Sequence, residues 1–133
     1  MNLILSLDYE LFFGARHGSP RSCLTEPCDA LLKITKRLGG KPAFFVDAGY
    51  LCKLEEYRRG DAAVRHEADQ VFSHLASLSR DGHELQLHIH PHWEDTRRGA
   101  DGWEFNLERY ALHRFAGGDI LDIVTRYTRA LSA

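Results

Sequence analysis

The most informative segment of the sequence reads Glu84-Leu85-Gln86-Leu87-His88-Ile89-His90-Pro91-His92. Its apolar residues alternate with polar ones, and this period of two is typical of a β-strand. Pro91 should end the strand, because proline cannot donate a hydrogen bond to a neighbouring strand. The segment therefore predicts a strand whose carboxyl end carries a cluster of histidines.

Further strands and helices are predicted on both sides of this segment. Residues 2–8 alternate in the same way, and residues 43–46 (AFFV) form a short apolar run that favours a buried strand. Apolar residues at helical spacing predict helices after Thr25, from Asp61 to Arg80, and after Asp119. Strands and helices that alternate along a chain predict right-handed crossovers and a parallel βαβαβ sheet, which is an α/β fold.

Composition and charge restrict the classes of function. The chain has 133 residues, which predicts a single domain over residues 1–133, and its formal net charge is −2. This charge excludes a strongly basic nucleic-acid binder and a polybasic membrane binder. No apolar run approaches the ~20 residues of a membrane span, and the start lacks the basic region of a signal peptide. The sparse cysteines, Cys23, Cys28 and Cys52, predict reduced thiols in a cytoplasmic protein.

Acids and imidazoles occur where the predicted strands end. Ligands of parallel α/β folds bind at the carboxyl ends of the strands, and these ends carry Asp8 and Glu10, then Asp47, then His88–His92. Two imidazoles and a carboxylate are a common ligand set for zinc or a similar divalent ion. The pattern therefore predicts a metal site, with a histidine-rich loop that binds metal only adventitiously as the alternative. Asp47 either lines this site or caps the segment that follows.

The choice of individual ligands is left open by the pattern. His92 follows His88 by four residues, and the turn at the intervening proline could fold it back beside His88. His90 competes with it, because alternation puts His90 on the same strand face as His88. Asp8 and Glu10 also share a face, so that one could bind the metal while the other acts as general base.

Aromatic residues follow the histidines along the chain. They are Trp93, Trp103, Tyr110 and Phe115. Such rings could form a wall for a sugar, or they could pack the long loop onto the sheet. Bulky rings more often pack, so that packing is the expectation for each of them.

Three segments, in this order, resemble the polysaccharide deacetylase family, the NodB-homology carbohydrate esterases. Residues 5–10 (LSLDYE) resemble its first motif, an acid pair after strand one, and residues 41–46 (KPAFFV) resemble its second strand. Residues 82–92 (GHELQLHIHPH) resemble its Gly-His-Glu run that leads to a His-x-x-x-His metal motif. The Asp-Tyr-Glu variant and the His-Pro-His-Trp ending resemble a branch associated with bacterial surface-polysaccharide biosynthesis.

The resemblance implies a deformed β/α barrel that binds zinc or a similar ion and removes N- or O-acetyl groups from sugar polymers. It implies that His88 and His92 are the metal histidines and that Asp8 is the catalytic base. The family's second acid, a metal ligand, falls on Tyr9 here. Either Glu10 replaces it, or Asp8 becomes the ligand and Glu10 supplies the base.

The resemblance ends near Trp93, and the family's later motifs have no match after that residue. It therefore implies the N-terminal part of such a domain, with an incomplete barrel. One alternative function is a catalytically silent deacetylase-like fragment that forms a homo-oligomer through its open sheet edge or pairs with a partner. Another is a hydrolase of a non-carbohydrate amide, because related barrels act on small amides.

Overall fold

The fold is built on a sheet of three parallel strands. The computed structural model describes residues 4–12 and 18–132. The strands are β1 (Ser6–Tyr9), β2 (Ala43–Asp47) and β3 (Glu84–His88), in the order β1-β2-β3. Together with the helices between them, they confirm the predicted α/β class and parallel sheet. The first strand was predicted from residue 2, and residues 1–3 lie outside the described part of the chain.

Four α-helices are described around this sheet. They are α1 (Glu26–Arg37), α2 (Ala48–Tyr57), α3 (Ala62–Arg80) and α4 (Gly117–Ser132). A π-helical turn at Arg21–Thr25 leads into α1, and short 3-10 turns lie at Pro91–Asp95 and Leu112–Arg114. An antiparallel hairpin of β4 (Arg97–Gly99) and β5 (Gly102–Glu104) follows β3. Neither α2 nor this hairpin was predicted from the sequence.

Helix α3 shows how the sequence specifies its own packing. Its N-cap is Asp61, whose Oδ1 accepts hydrogen bonds of 2.8 Å from the Ala63 N–H and 3.2 Å from the Val64 N–H. Such a cap satisfies amide groups that the first helical turn leaves unpaired. The buried residues recur at helical spacing: Val64, Ala68, Val71, Leu75 and Leu78. Among the described residues, no helix is both long enough and apolar enough to cross a membrane.

One face of the sheet, called here the covered face, packs against helices. It carries Tyr9, Phe44 and Val46, each at most 4% exposed. These side chains belong to one apolar cluster with residues of α2 and α3: Tyr50, Leu51, Leu54, Val64, Ala68 and Val71. Each large apolar side chain buried in this way contributes roughly 1.5–3 kcal/mol relative to exposure. The covered face is therefore the main source of stability.

The opposite face of the sheet, called here the open face, is polar. Its exposed residues are Ser6 and Asp8 on β1 and Glu84 and Gln86 on β3. Phe45, between them on β2, is half-buried. Because strand residues alternate between faces, Glu10 and His88 also belong to this side, at the carboxyl ends of β1 and β3.

Candidate metal centre

Three side chains converge at the carboxyl end of the sheet on the open face. Glu10 directly follows β1, His88 ends β3, and His90 lies two residues further along the chain. Oε2 of Glu10 is 2.5 Å from Nε2 of His90 and 3.4 Å from Nε2 of His88, and the two Nε2 atoms are 2.8 Å apart. These residues, called here the metal-ligand cluster, lie close enough together to hold one ion.

The donor atoms of the cluster fit a divalent metal. One carboxylate oxygen and two imidazole nitrogens leave a coordination position open, as catalytic zinc sites require. Two ligands at about 2.1 Å from one tetrahedral ion are about 3.4 Å apart, which matches the 3.4 Å between Glu10 and His88. The donor atoms of the Glu10–His90 and His88–His90 pairs would have to move apart by less than ~1 Å to reach this separation. All three side chains are part-buried, so an ion can approach from the open face.

The surroundings of His90 favour the protonation state that binds metal. Burial lowers the pKa of His90, although the neighbouring Glu10 carboxylate opposes this shift. A protonated imidazole has no lone pair left for a metal, because both ring nitrogens carry hydrogen. Burial of His90 therefore prepares it as a ligand.

Asp8 lies on the same face as the cluster but outside it. It is exposed, and it faces Phe45 across the β1–β2 pair. Its carboxylate is near enough to His90 to favour the protonated imidazole, and it thereby opposes part of the fall in the pKa of His90 that burial causes. Asp8 thus borders the cluster on the solvent side, and its role as ligand or base stays a prediction.

Tyr9 points away from the cluster, towards the covered face. Its hydroxyl lies 2.9 Å from Nδ1 of His74 on α3, and Nε2 of His74 lies 3.4 Å from Asp29 on α1. Strand alternation explains this direction, since Asp8 and Glu10 on either side of Tyr9 occupy the open face. Tyr9 therefore does not take the ligand position that the family's second acid occupies. It links β1 to α3.

His92 lies among aromatic rings instead of in the metal-ligand cluster. It is fully buried, and its ring centroid is 5.4 Å from Trp93, 5.6 Å from Phe105 and 6.0 Å from Tyr110. Burial lowers the pKa of His92 to about 4, so the ring is neutral at pH 7. The 3-10 turn that begins at Pro91 carries His92 inward. Of the two competitors for the second imidazole, the structure brings His90 to Glu10 and His88.

Asp47 is buried beneath the carboxyl end of the sheet. Its Oδ2 accepts a hydrogen bond of 2.5 Å from the indole N–H of Trp93, and only 1% of Asp47 is exposed. Burial raises the pKa of this carboxyl to about 8, and the charge on Glu10 adds to the shift. Gly49 lets the indole approach, because a Cβ there would lie 2.7 Å from the Trp93 ring. Sequence reasoning missed this pair, whose members are 46 residues apart.

The metal-ligand cluster is the basis for assigning a function to this chain. No protein-family model matches the sequence, and no curated protein or solved structure matches the chain.

Proposed function

We propose that the protein is a metal-dependent hydrolase that removes acetyl groups from a carbohydrate, and that Glu10, His88 and His90 hold the metal. The observation that carries the proposal is the convergence of one carboxylate oxygen and two imidazole nitrogens within 3.4 Å at the carboxyl end of a parallel sheet. The resemblance of residues 5–10, 41–46 and 82–92 to polysaccharide deacetylases supports the reaction class.

The chain's own residues supply ligands and a base for this reaction. A divalent cation, which we expect to be zinc, would supply a Lewis acid that polarises the acetyl carbonyl. Asp8 is exposed beside the cluster, where its carboxylate can take a proton from a water molecule that approaches from the open face. In this assignment Asp8 is the base, and Glu10 replaces the family's second acid as ligand.

Metal content of the purified protein tests the proposal first. After extensive dialysis we expect near-stoichiometric divalent metal, measured by elemental mass spectrometry, and its loss in His88→Ala and in His90→Ala. His66→Ala is the matched control, because His66 is an exposed histidine on α3. A parent-like metal content in His88→Ala would overturn the proposal.

A substitution at His92 tests which imidazole is the second ligand. His92→Phe keeps an aromatic ring among Trp93, Phe105 and Tyr110 and removes both ring nitrogens. Retained metal in this variant supports His90 as the ligand, because His90 is the residue that contacts Glu10. Loss of metal in a variant that is still folded would return the role to His92.

Release of acetate tests the reaction and its substrate class. Acetylated sugar oligomers should release acetate with the metal-loaded protein, and Asp8→Asn should lower kcat while the metal content stays at the parent level. Hydrolysis of small amides without any release from sugars would support the non-carbohydrate hydrolase instead.

The open face favours a second candidate, a catalytically silent domain that pairs with a partner or a second copy. Ser6, Asp8, Glu84 and Gln86 are exposed on the side that would point inward if the sheet closed into a barrel. In the described sheet β1 and β3 are the outer strands, and outer strands offer unpaired backbone groups. A stable dimer that releases no acetate would support this candidate, whereas a monomer that binds metal and releases acetate would contradict it.

A further inference from the structure

An exposed aromatic ring lies beside the metal-ligand cluster. Tyr110 is 48% exposed, and its ring centroid is 6.2 Å from that of His90 and 6.0 Å from that of His92. The planes of Tyr110 and His92 differ by only 11°. The neighbouring rings of Trp93, Trp103 and Phe115 are buried. Packing was expected for all four aromatic residues, and Tyr110 is the one whose ring solvent reaches.

Side-chain contacts fix the segment that carries Tyr110. The Arg109 guanidinium forms a two-point ion pair with Asp95, with distances of 2.8 and 2.5 Å, and lies 4.2 Å from the Phe115 ring centroid. Phe105, on the other side of Tyr110, packs on Trp93 with ring centroids 5.2 Å apart. A segment that is already held in place loses less freedom on ligand binding than a mobile one.

The open face next to the cluster is polar. Asp8 on β1 and Gln86 on β3 are exposed there, each two residues before a member of the cluster. Hydroxyl, carboxylate and amide groups hydrogen-bond to sugar hydroxyls, whereas the face of an aromatic ring attracts the C–H groups of a pyranose. A sugar that contacts Tyr110 and these polar groups would lie at the metal-ligand cluster, because the ring centroid of Tyr110 is 6.2 Å from that of His90.

We propose that Tyr110 stacks against a pyranose ring and thereby positions the acetyl substituent of that sugar at the metal-ligand cluster. The inference rests on the proposed function and adds the residue that recognises the substrate. The attraction comes from the negative ring face of Tyr110 and the partly positive C–H groups of the sugar. It therefore selects sugars with a continuous C–H face, such as β-linked glucosamine units, over sugars whose axial substituents interrupt that face.

Binding of chitotetraose, the tetramer of N-acetylglucosamine, tests this role in the full metal-loaded chain. Tyr110→Ala and Tyr110→Leu should weaken binding about tenfold, as measured by calorimetry. The same variants should raise KM more than they lower kcat, because the lost contact binds the sugar and touches no reacting atom. Tyr110→Phe and Tyr110→Trp keep a ring and should retain the parent affinity. Ile34→Ala, which trims a side chain that is 60% exposed on α1, is the control.

Sugar affinity, metal content and acetate release together separate failure of this inference from failure of the proposed function. The inference is overturned if Tyr110→Ala binds chitotetraose as tightly as the parent does. It is also overturned if the parent binds neither chitotetraose nor cellotetraose at millimolar concentration. Metal content and acetate release still decide the proposed function. If the purified protein holds no metal but still binds the sugar in a way that depends on Tyr110, the stacking role is supported and the proposed hydrolase function is contradicted. Metal content equal to the parent in Tyr110→Leu supports a role in sugar binding, and loss of metal there overturns it in favour of a role in holding the histidines.

Discussion

Phe44 and Phe45 are neighbours on β2, and they show how differently the two faces of the sheet are used. Phe44 is 1% exposed on the covered face, with ring centroids 6.5 Å from Tyr9 and 5.7 Å from His83. Phe45 is half-buried on the open face, 6.5 Å from the His88 ring. One strand thus contributes to the core on one side and to the surroundings of the candidate metal centre on the other.

The same division separates Tyr9 from Glu10 at the end of β1. Tyr9 is buried against α3, whereas Glu10 joins the two histidines of the metal-ligand cluster. Changes on the covered face should therefore act on stability, and changes on the open face should act on metal and substrate. Variants on the two faces test whether stability and metal binding are separated in this way.

The largest effect is expected for Phe44. Phe44→Ala should lower the free energy of unfolding by about 3–5 kcal/mol, because it leaves a cavity in a packed core. Phe45→Ala is the matched variant, and it should cost only about 1 kcal/mol, because solvent already reaches that ring. Urea denaturation of both variants measures the difference. Equal losses would show that the open face is packed as tightly as the covered face.

Glu10→Gln should have the next largest effect, and mainly on metal affinity. Loss of residues that merely orient metal ligands costs about 10–100-fold in affinity, so loss of a charged ligand should cost at least about 100-fold, or ~2.7 kcal/mol. The free energy of unfolding of the metal-free variant should change by no more than about 1 kcal/mol, because glutamine can still hydrogen-bond to His90. Chelator competition measures the affinity. An unchanged affinity would remove Glu10 from the candidate metal centre.

The buried carboxyl of Asp47 should make the free energy of unfolding depend on pH. Burial raises the pKa of its carboxyl to about 8 from 3.8, so between these values the folded state holds a proton that the unfolded state has lost. The Asp47 contribution to the free energy of unfolding, measured in metal-free protein, should therefore fall as pH rises through this range and then level off. Asp47→Asn has a neutral side chain at every pH. Above about pH 8 its free energy of unfolding should therefore exceed that of the parent by about 1–3 kcal/mol.

Urea denaturation with a chelator present, at acid and at alkaline pH, measures the effect of Asp47→Asn. The exposed Asp101→Asn is the control for a change of one formal charge. A parent whose stability relative to Asp47→Asn does not fall with rising pH would show that the Asp47 carboxyl ionises freely in the folded protein.

The smallest effect is expected for Tyr9→Phe. This variant removes the hydroxyl that lies 2.9 Å from His74, and loss of one such hydrogen bond costs about 1 kcal/mol. Metal content should equal that of the parent, because the Tyr9 side chain is on the covered face. Elemental analysis beside urea denaturation checks both statements. If Tyr9→Phe lost its metal while its free energy of unfolding equalled that of the parent, the division between the two faces would be contradicted.

Much of this architecture could be predicted from local pattern. Alternation predicted β1 and β3, and a short apolar run predicted β2. The apolar spacing from Val64 to Leu78, together with its cap at Asp61, predicted α3. Helix α2 was missed although Tyr50, Leu51 and Leu54 are buried at helical spacing. It starts at Ala48, directly after β2, with no connecting segment to separate the two patterns.

Local pattern is enough to say which residues share a face at the carboxyl end of each strand, because the period of two is a property of the extended backbone. It places Glu10 with Asp8 and opposite Tyr9 at the end of β1, and His88 with His90 at the end of β3. The pairing of the strands, which brings Glu10 near His88, and the choice of His90 over His92 both required the tertiary structure. After Pro91 the path of the chain depends on packing against Phe105 and Tyr110. Such contacts join residues far apart in the sequence, so no local pattern records them.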